Sequence, residues 1–254
     1  MDRGTYAAAS AGFVQLTQLD IVNNNLANVN TPGFKRQFLV QETQGFDDTL
    51  ASKMNLKDPY AKADQERTPG VNQLRTVTDF SLGSITNTGN PLDVALRDPN
   101  EFFVIETPEG NQYTRAGNFT LNVEGQVVTH EGYSVLGDGG AIAVNGPGVS
   151  ISPSGVVGSQ TEEAGRLAVV RFEDPTVLER IGGSRFAIVD GGAAPAAVDD
   201  PQLLTQSLEM SNVSAIDSII ELISATRGFE LYTKSAASID EMNQTAINQV
   251  GKRT

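Results

Sequence analysis

Cysteine is absent from the 254-residue chain, so neither disulfides nor thiolate metal sites can hold its fold or carry its chemistry. The single histidine, His130, supplies no recognisable zinc cluster and no nucleophilic triad. It is expected to be an ordinary strand-end residue. No segment approaches ~20 consecutive apolar residues, so no helix spanning a bilayer and no membrane insertion are expected. The start, Met1-Asp2-Arg3-Gly4-Thr5-Tyr6, lacks a basic leader, and Ser10, Gln15 and Gln18 break the apolar stretch behind it; no cleaved signal peptide is expected. Basic residues are in deficit: 18 Lys and Arg against 31 Asp and Glu leave a net charge of −13 and a pI near 4.5. Such a chain has no counterion-driven grip on nucleic acid or anionic lipid, so neither is an expected partner.

Enzyme signatures are equally scarce. Gly137, Gly139 and Gly140 fail the dinucleotide fingerprint because Ile142 stands where a third glycine belongs, and no Walker lysine exists. The acid pairs Asp47-Asp48, Glu162-Glu163 and Asp199-Asp200 are neighbours in sequence, whereas glycoside hydrolysis needs two carboxyls facing one bond. They are expected on a solvated surface. No cofactor and no metal are expected.

The chain is long enough to bury a sizeable core, and its 25 glycines and 11 prolines supply the punctuation of a turn-rich β fold. Its two ends differ from its middle. From Tyr6, apolar residues recur three or four apart at Ala9, Phe13, Leu16, Leu19, Val22, Leu26 and Val29, the spacing of one helix face, which predicts a helix over 3–29. Pro32 pushes Thr31 out of the α region, and Gly33 accepts positive φ, so the helix should stop there. The far end repeats the design, with Ser211 or Ser214 as N-cap. Its apolar series is Ile216, Ile219, Ile223, Thr226, Phe229, Tyr232, Ala236, Ile239, Met242, Ala246 and Val250. A helix of ~35 residues and ~50 Å is not stable alone in water; its stripe needs a partner. The economical partner is the N-terminal helix. Thr226, Thr233, Asp240 and Asn243 interrupt any strict heptad seam, so multi-helix, partly polar contacts are expected.

Between the helices the period changes. Short alternating or β-branched runs occupy 92–96, 102–106, 112–115, 119–123, 126–129, 142–144, 167–172 and 185–189. Turns such as Glu109-Gly110-Asn111, Glu124-Gly125 and Asp138-Gly139-Gly140 fit hairpins, predicting an antiparallel sheet or small barrel. Residues 35–80 follow neither period and predict an extended or partly ordered connector. The fold class is therefore α+β: terminal helices paired in a coiled-coil-like domain, with a central antiparallel β-rich domain inserted between them. The expected divisions are 1–34, 35–79, 80–207 and 208–254.

The run Asn24-Asn25-Leu26-Ala27-Asn28-Val29-Asn30-Thr31-Pro32-Gly33-Phe34-Lys35 resembles the N-terminal motif of the flagellar rod, hook and hook-associated axial proteins. Ser211-Asn212-Val213 with Arg227, Phe229, Glu230 and Lys234 resembles their C-terminal helix. Tyr113-Thr114-Arg115-Ala116-Gly117-Asn118-Phe119, followed by Gly125 to Thr129, resembles their β-domain signature. Met1-Asp2 with Tyr6, and Pro91 to Leu96, look most like proximal-rod members, with distal-rod members next. Two departures stand out: Arg97-Asp98-Pro99-Asn100-Glu101 replaces a glycine-bearing loop, and Ala225-Thr226 precedes Arg227 where Gln is common.

The resemblance implies a structural subunit, not an enzyme. It would be exported unprocessed by the flagellar type III apparatus and would polymerise helically across the periplasm with copies of itself and other rod proteins. The implied assembly interface is Phe13, Leu16, Asn24, Asn25, Leu26, Asn28, Asn30, Thr31 and Phe34, with Ile219, Ile223, Arg227, Phe229 and Glu230. The asparagines could form amide ladders between subunits or a solvated helix end; Arg227 and Glu230 could pair within the helix or bridge subunits. The alternative reading is a secreted β-domain protein that recognises peptidoglycan or another envelope component.

Overall fold

The structure, a computed structural model, describes residues 3–43, 72–189 and 191–251. These described residues divide into two compact units, one made of residues 3–24, 37–43, 72–77 and 216–251, the other of 25–36, 78–189 and 191–215.

The first unit is built on two long helices, α1 (Arg3–Ala27) and α2 (Ala215–Gly251). Helix α1 ends two residues earlier than its apolar spacing predicts. Its chain tightens there into turns, with Asn28 N donating to Asn25 O at 3.2 Å and Val29 N to Leu26 O at 3.3 Å, before Gly33 turns at φ 68°. Helix α2 begins immediately after Ser214, one of the two expected caps. Its apolar series is not one seam. Ile216, Ile219, Ile220 and Ile223 share a face by i, i+3, i+4, i+7 spacing, and all four are exposed. The buried Ser218 and Ala225 lie on the opposite face, which Phe229, Tyr232 and Ala236 continue. Steps of three residues fall short of a 3.6-residue turn, so a stripe written mostly in threes winds around the helix and splits in two.

Gly12, Phe13 and Leu16 of α1 face Phe229, Tyr232, Thr233 and Ala236 of α2 across an apolar groove of about 290 Å³. Gly228 comes so close that a Cβ there would lie 2.9 Å from Gln15 Oε1. The predicted connector is partly strand: β1 (Gln37–Thr43) pairs with β2 (Asn72–Thr78) as a two-stranded sheet. Residues 44–71 of that connector lie outside the described residues.

The second unit is the expected β-rich body. In chain order it contains β3 (Ile85–Asn87), β4 (Val94–Ala95), β5 (Glu101–Thr107), β6 (Gly110–Thr114), β7 (Thr120–Leu121), β8 (Val127–Val128), β9 (Ser134–Gly137) and β10 (Gly140–Ala141). There follow β11 (Ser150–Ile151), β12 (Val156–Gly158), β13 (Glu163–Arg166), β14 (Val169–Arg171), β15 (Leu178–Gly182), β16 (Arg185–Ile188), β17 (Ala196–Ala197), β18 (Leu204–Thr205) and β19 (Ser207–Glu209). The main sheet runs β15-β16-β6-β5-β9-β8-β7, with β14 also on β5, β10 on β9 and β17 on β14. Strands β11, β12 and β13 make a second sheet. The pairs β18-β4 and β19-β3 bring residues just ahead of α2 back to residues 85–95. The run 142–144, expected as a strand, instead passes by a single bridge from Ala143 to Gln126.

Strand β5 organises the core. Phe103 and Ile105 enter one apolar cluster, with Phe119, Val127, Val135 and Leu167. Phe102 and Val104 enter another, with Phe80, Tyr113, Phe172 and Phe186. Successive residues of a strand point to opposite faces, so this sheet is buried on both sides. Edge-to-face rings, such as Phe102 to Phe80 at 5.6 Å and Tyr113 to Phe172 at 5.0 Å, fix the second cluster.

Candidate assembly site

The chain leaving α1 lies on the β body. Gly33 N donates to Glu209 O at 2.8 Å, and Ser184 Oγ donates to Pro32 O at 3.1 Å. Gly33 has no room for a side chain: a Cβ would lie 2.2 Å from Ala116 N, inside the Tyr113 to Phe119 motif. Phe34 is buried, and the Arg180 guanidinium stacks over its ring at 4.1 Å while donating through Nη2 to Lys35 O. Burial disfavours the charged form of Arg180 and pulls its pKa down to about 10.

Next in line, Lys35 and Arg115 meet one carboxylate. Lys35 Nζ lies 2.6 Å from Glu209 Oε1, and Arg115 grips Oε2 through Nε at 2.7 Å and Nη2 at 2.6 Å. All three side chains are fully buried. The remaining capacity is used: Lys35 Nζ donates to Ser81 O at 2.6 Å, Gly83 N donates to Glu209 Oε1 at 3.0 Å, and Arg115 Nη1 reaches the carbonyls of Asp98 and Glu101 at 2.7 and 2.6 Å. Burial is the largest influence on Lys35 and holds its ammonium below its ordinary pKa, with Glu209 acting in the other direction. Alongside, Arg36 N donates to Asn212 Oδ1 at 2.7 Å, and Asn212 Nδ2 donates to Asp79 O at 2.9 Å. The Lys35–Glu209–Arg115 arrangement clamps three distant stretches of chain together.

The residues named from sequence separate accordingly. Asn25 and Phe34 are buried within this body, while Leu26, Asn28, Thr31 and Phe229 are half-buried. Phe13, at 64% exposure, and Leu16, Ile219 and Ile223 present apolar surface to solvent; Asn24, Asn30, Arg227 and Glu230 are also exposed. Of the expected amide network, Asn28 Oδ1 accepts from Thr31 Oγ1 at 3.1 Å, a bond within the turn. Glu209 escaped the sequence reading. Its only signal there is a lone acid in the apolar, small-residue stretch Ser207-Leu208-Glu209-Met210-Ser211.

Three family models match this chain: Flagella basal body rod protein over residues 6–35, Flagellar hook protein FlgE/F/G D1 domain over 98–159, and Flagellar basal body rod FlgEFG protein C-terminal over 204–249. The flagellar basal-body rod protein FlgF of Caulobacter vibrioides is 32% identical over 256 residues, covering 99% of both chains. The chain belongs to the flagellar basal-body rod protein family. FlgG of Bacillus subtilis is 31% identical, covering 98% of this chain and 99% of its own, and FlgF of Salmonella typhimurium is 30% identical, covering 98% of each. The buried triad has a plain relation to these rod-family segments: Lys35 falls in the first, Arg115 in the second and Glu209 in the third.

Proposed function

We propose that the chain is a structural subunit of the bacterial flagellar basal-body rod. It polymerises helically with copies of itself and other axial proteins and passes torque through packed contacts. It is exported unprocessed by the flagellar type III apparatus and works in the periplasmic rod. Relatives named FlgF and FlgG match to the same extent, so the proposed role is common to both.

The exposed isoleucine face of α2 is the observation that carries this reading. Four large aliphatics, Ile216, Ile219, Ile220 and Ile223, stand in solvent on one side of a helix whose other side is already occupied. A contiguous apolar stripe of this kind is covered in use by another protein surface. With Phe13 and Leu16 exposed on α1, the first unit supplies apolar faces to neighbours while the clamp keeps the β body attached to the chain between them. Replacing Ile219 and Ile223 together by Asp is expected to leave the β body folded, by circular dichroism, and to abolish incorporation into rods in a strain lacking the native gene. Normal motility and normal rods with that variant would contradict the reading.

A further inference from the structure

Asparagine is followed by glycine once in the chain, at Asn145-Gly146. The pair lies in the loop behind the bridge from Ala143 to Gln126, and both residues are exposed. Among the described residues, neither the Asn145 side chain nor the Gly146 N–H has a hydrogen-bond partner. Gly146 sits at φ 113° and carries no Cβ to shield its nitrogen. Other asparagines of the β body are held. Asn90 donates through Nδ2 to Asp93 Oδ1 at 2.9 Å and is followed by Pro91, which has no N–H. Asn122 donates through Nδ2 to Gln126 Oε1 at 3.0 Å while its Oδ1 accepts from Glu124 N and Gln126 N. Asn212 donates through Nδ2 to Asp79 O at 2.9 Å. A valine follows each of these two, and its branched side chain crowds the next main-chain nitrogen.

We propose that Asn145 is a site of spontaneous, water-driven modification, at which the folded chain converts this asparagine to aspartate and isoaspartate. Asparagine is among the thermolabile side chains, and here its usual restraints are missing. The Gly146 nitrogen gives up its proton to solvent base and attacks Cγ of Asn145. A bond from that nitrogen to Cγ closes a five-membered succinimide, the Cγ–Nδ2 bond breaks, and Nδ2 takes up a proton and leaves as ammonia. Water then opens the ring. Cleavage at Cγ leaves aspartate on an unaltered main chain, and cleavage at the main-chain carbonyl routes the chain through the side chain as isoaspartate. Water is the sole co-reactant and nothing is oxidised or reduced. Val144 and Val149 flank the site, both buried in one core cluster, and Val144 N donates to Gly125 O at 2.8 Å. The change is thereby confined to a loop held at both ends. Every converted copy gains one negative charge, and the isoaspartyl form also gains a main-chain methylene between the two valines.

The test is incubation of the full-length folded chain in mildly alkaline buffer, followed by digestion and mass spectrometry, beside a sample unfolded in guanidinium. The peptide holding Asn145 is expected to gain one mass unit, at a rate within a few-fold of that in the unfolded sample, and more slowly in mildly acidic buffer. Isoaspartyl methyltransferase is expected to label that peptide. The acidic species that accumulates on ion exchange is expected to be missing from the Asn145→Ser chain, whose altered side chain is exposed and leaves the core untouched. Peptides holding Asn90, Asn122 and Asn212 are expected to keep their mass in the folded chain. An unchanged Asn145 peptide in folded protein, over a period in which the unfolded sample converts, would overturn the proposal. So would an equal gain at Asn90, Asn122 or Asn212, which would show that the loop confers no selectivity. Neither result bears on the rod-subunit reading, which is tested by incorporation.

Discussion

Glu209 receives two cations and a backbone amide without any access to water. Removing one member of such a buried set leaves the others unpaired, which costs about 3–5 kcal/mol, whereas the intact set contributes little beyond an apolar replacement. Glu209→Gln is therefore expected to lower the stability of the purified chain by about 3–5 kcal/mol in urea titrations followed by circular dichroism. Lys35→Met should cost less, because Arg115 and Gly83 N still hold the carboxylate and burial already weighs against the ammonium. Equal losses from the two variants would contradict this ranking. Gly33 is the second critical residue. Gly33→Ala places an L side chain at positive φ, costing roughly 1–2 kcal/mol, and drives it into the Ala116 backbone. Release of residues 25–36 from the β body, seen as faster amide exchange at Gly33 and Arg36, is the expected result; unchanged protection at both would count against it.

At the scale of elements, the core strand β5 is expected to be the least forgiving. Phe102→Ala should destabilise by about 3–5 kcal/mol, since its ring meets Phe80, Phe172 and Phe186 with no room for collapse. Gly228→Ala in α2 should do the reverse. Alanine gains about 1 kcal/mol of helix propensity, and its nearest neighbour is the movable end of Gln15, so a higher thermal midpoint of the helical signal is expected. A lower midpoint would mean that the close approach of α1 and α2 depends on the missing side chain.

Both helices and most of the β5 to β8 region were legible in the sequence because their periods, 3.6 and 2, are written over several residues in succession. Strands β17, β18 and β19 were not, being two or three residues long and defined by partners far away. The winding of the α2 stripe is hidden at short range because steps of three and of four residues both stay close to one face, and the drift shows only over several turns. Phe34 and Asn25 are buried in their own β body through tertiary docking that is invisible to local pattern. The pairing of Lys35 with Glu209, 174 residues apart, has no signal in the local pattern around either residue.

For the molecule as a whole, the buried clamp and the exposed helix face do different jobs. The clamp joins the chain leaving α1, the strand motif around Arg115 and the chain entering α2 through charged, hydrogen-bonded contacts. The isoleucine face is left for a neighbour. The most direct test is a density map of the assembled rod with this chain placed in it. The account predicts Ile216, Ile219, Ile220 and Ile223 buried against a helix of an adjacent subunit, on the side of α2 away from its own Phe229 and Tyr232. A map in which that face lines open solvent, or in which this chain has no place in the rod, would contradict it.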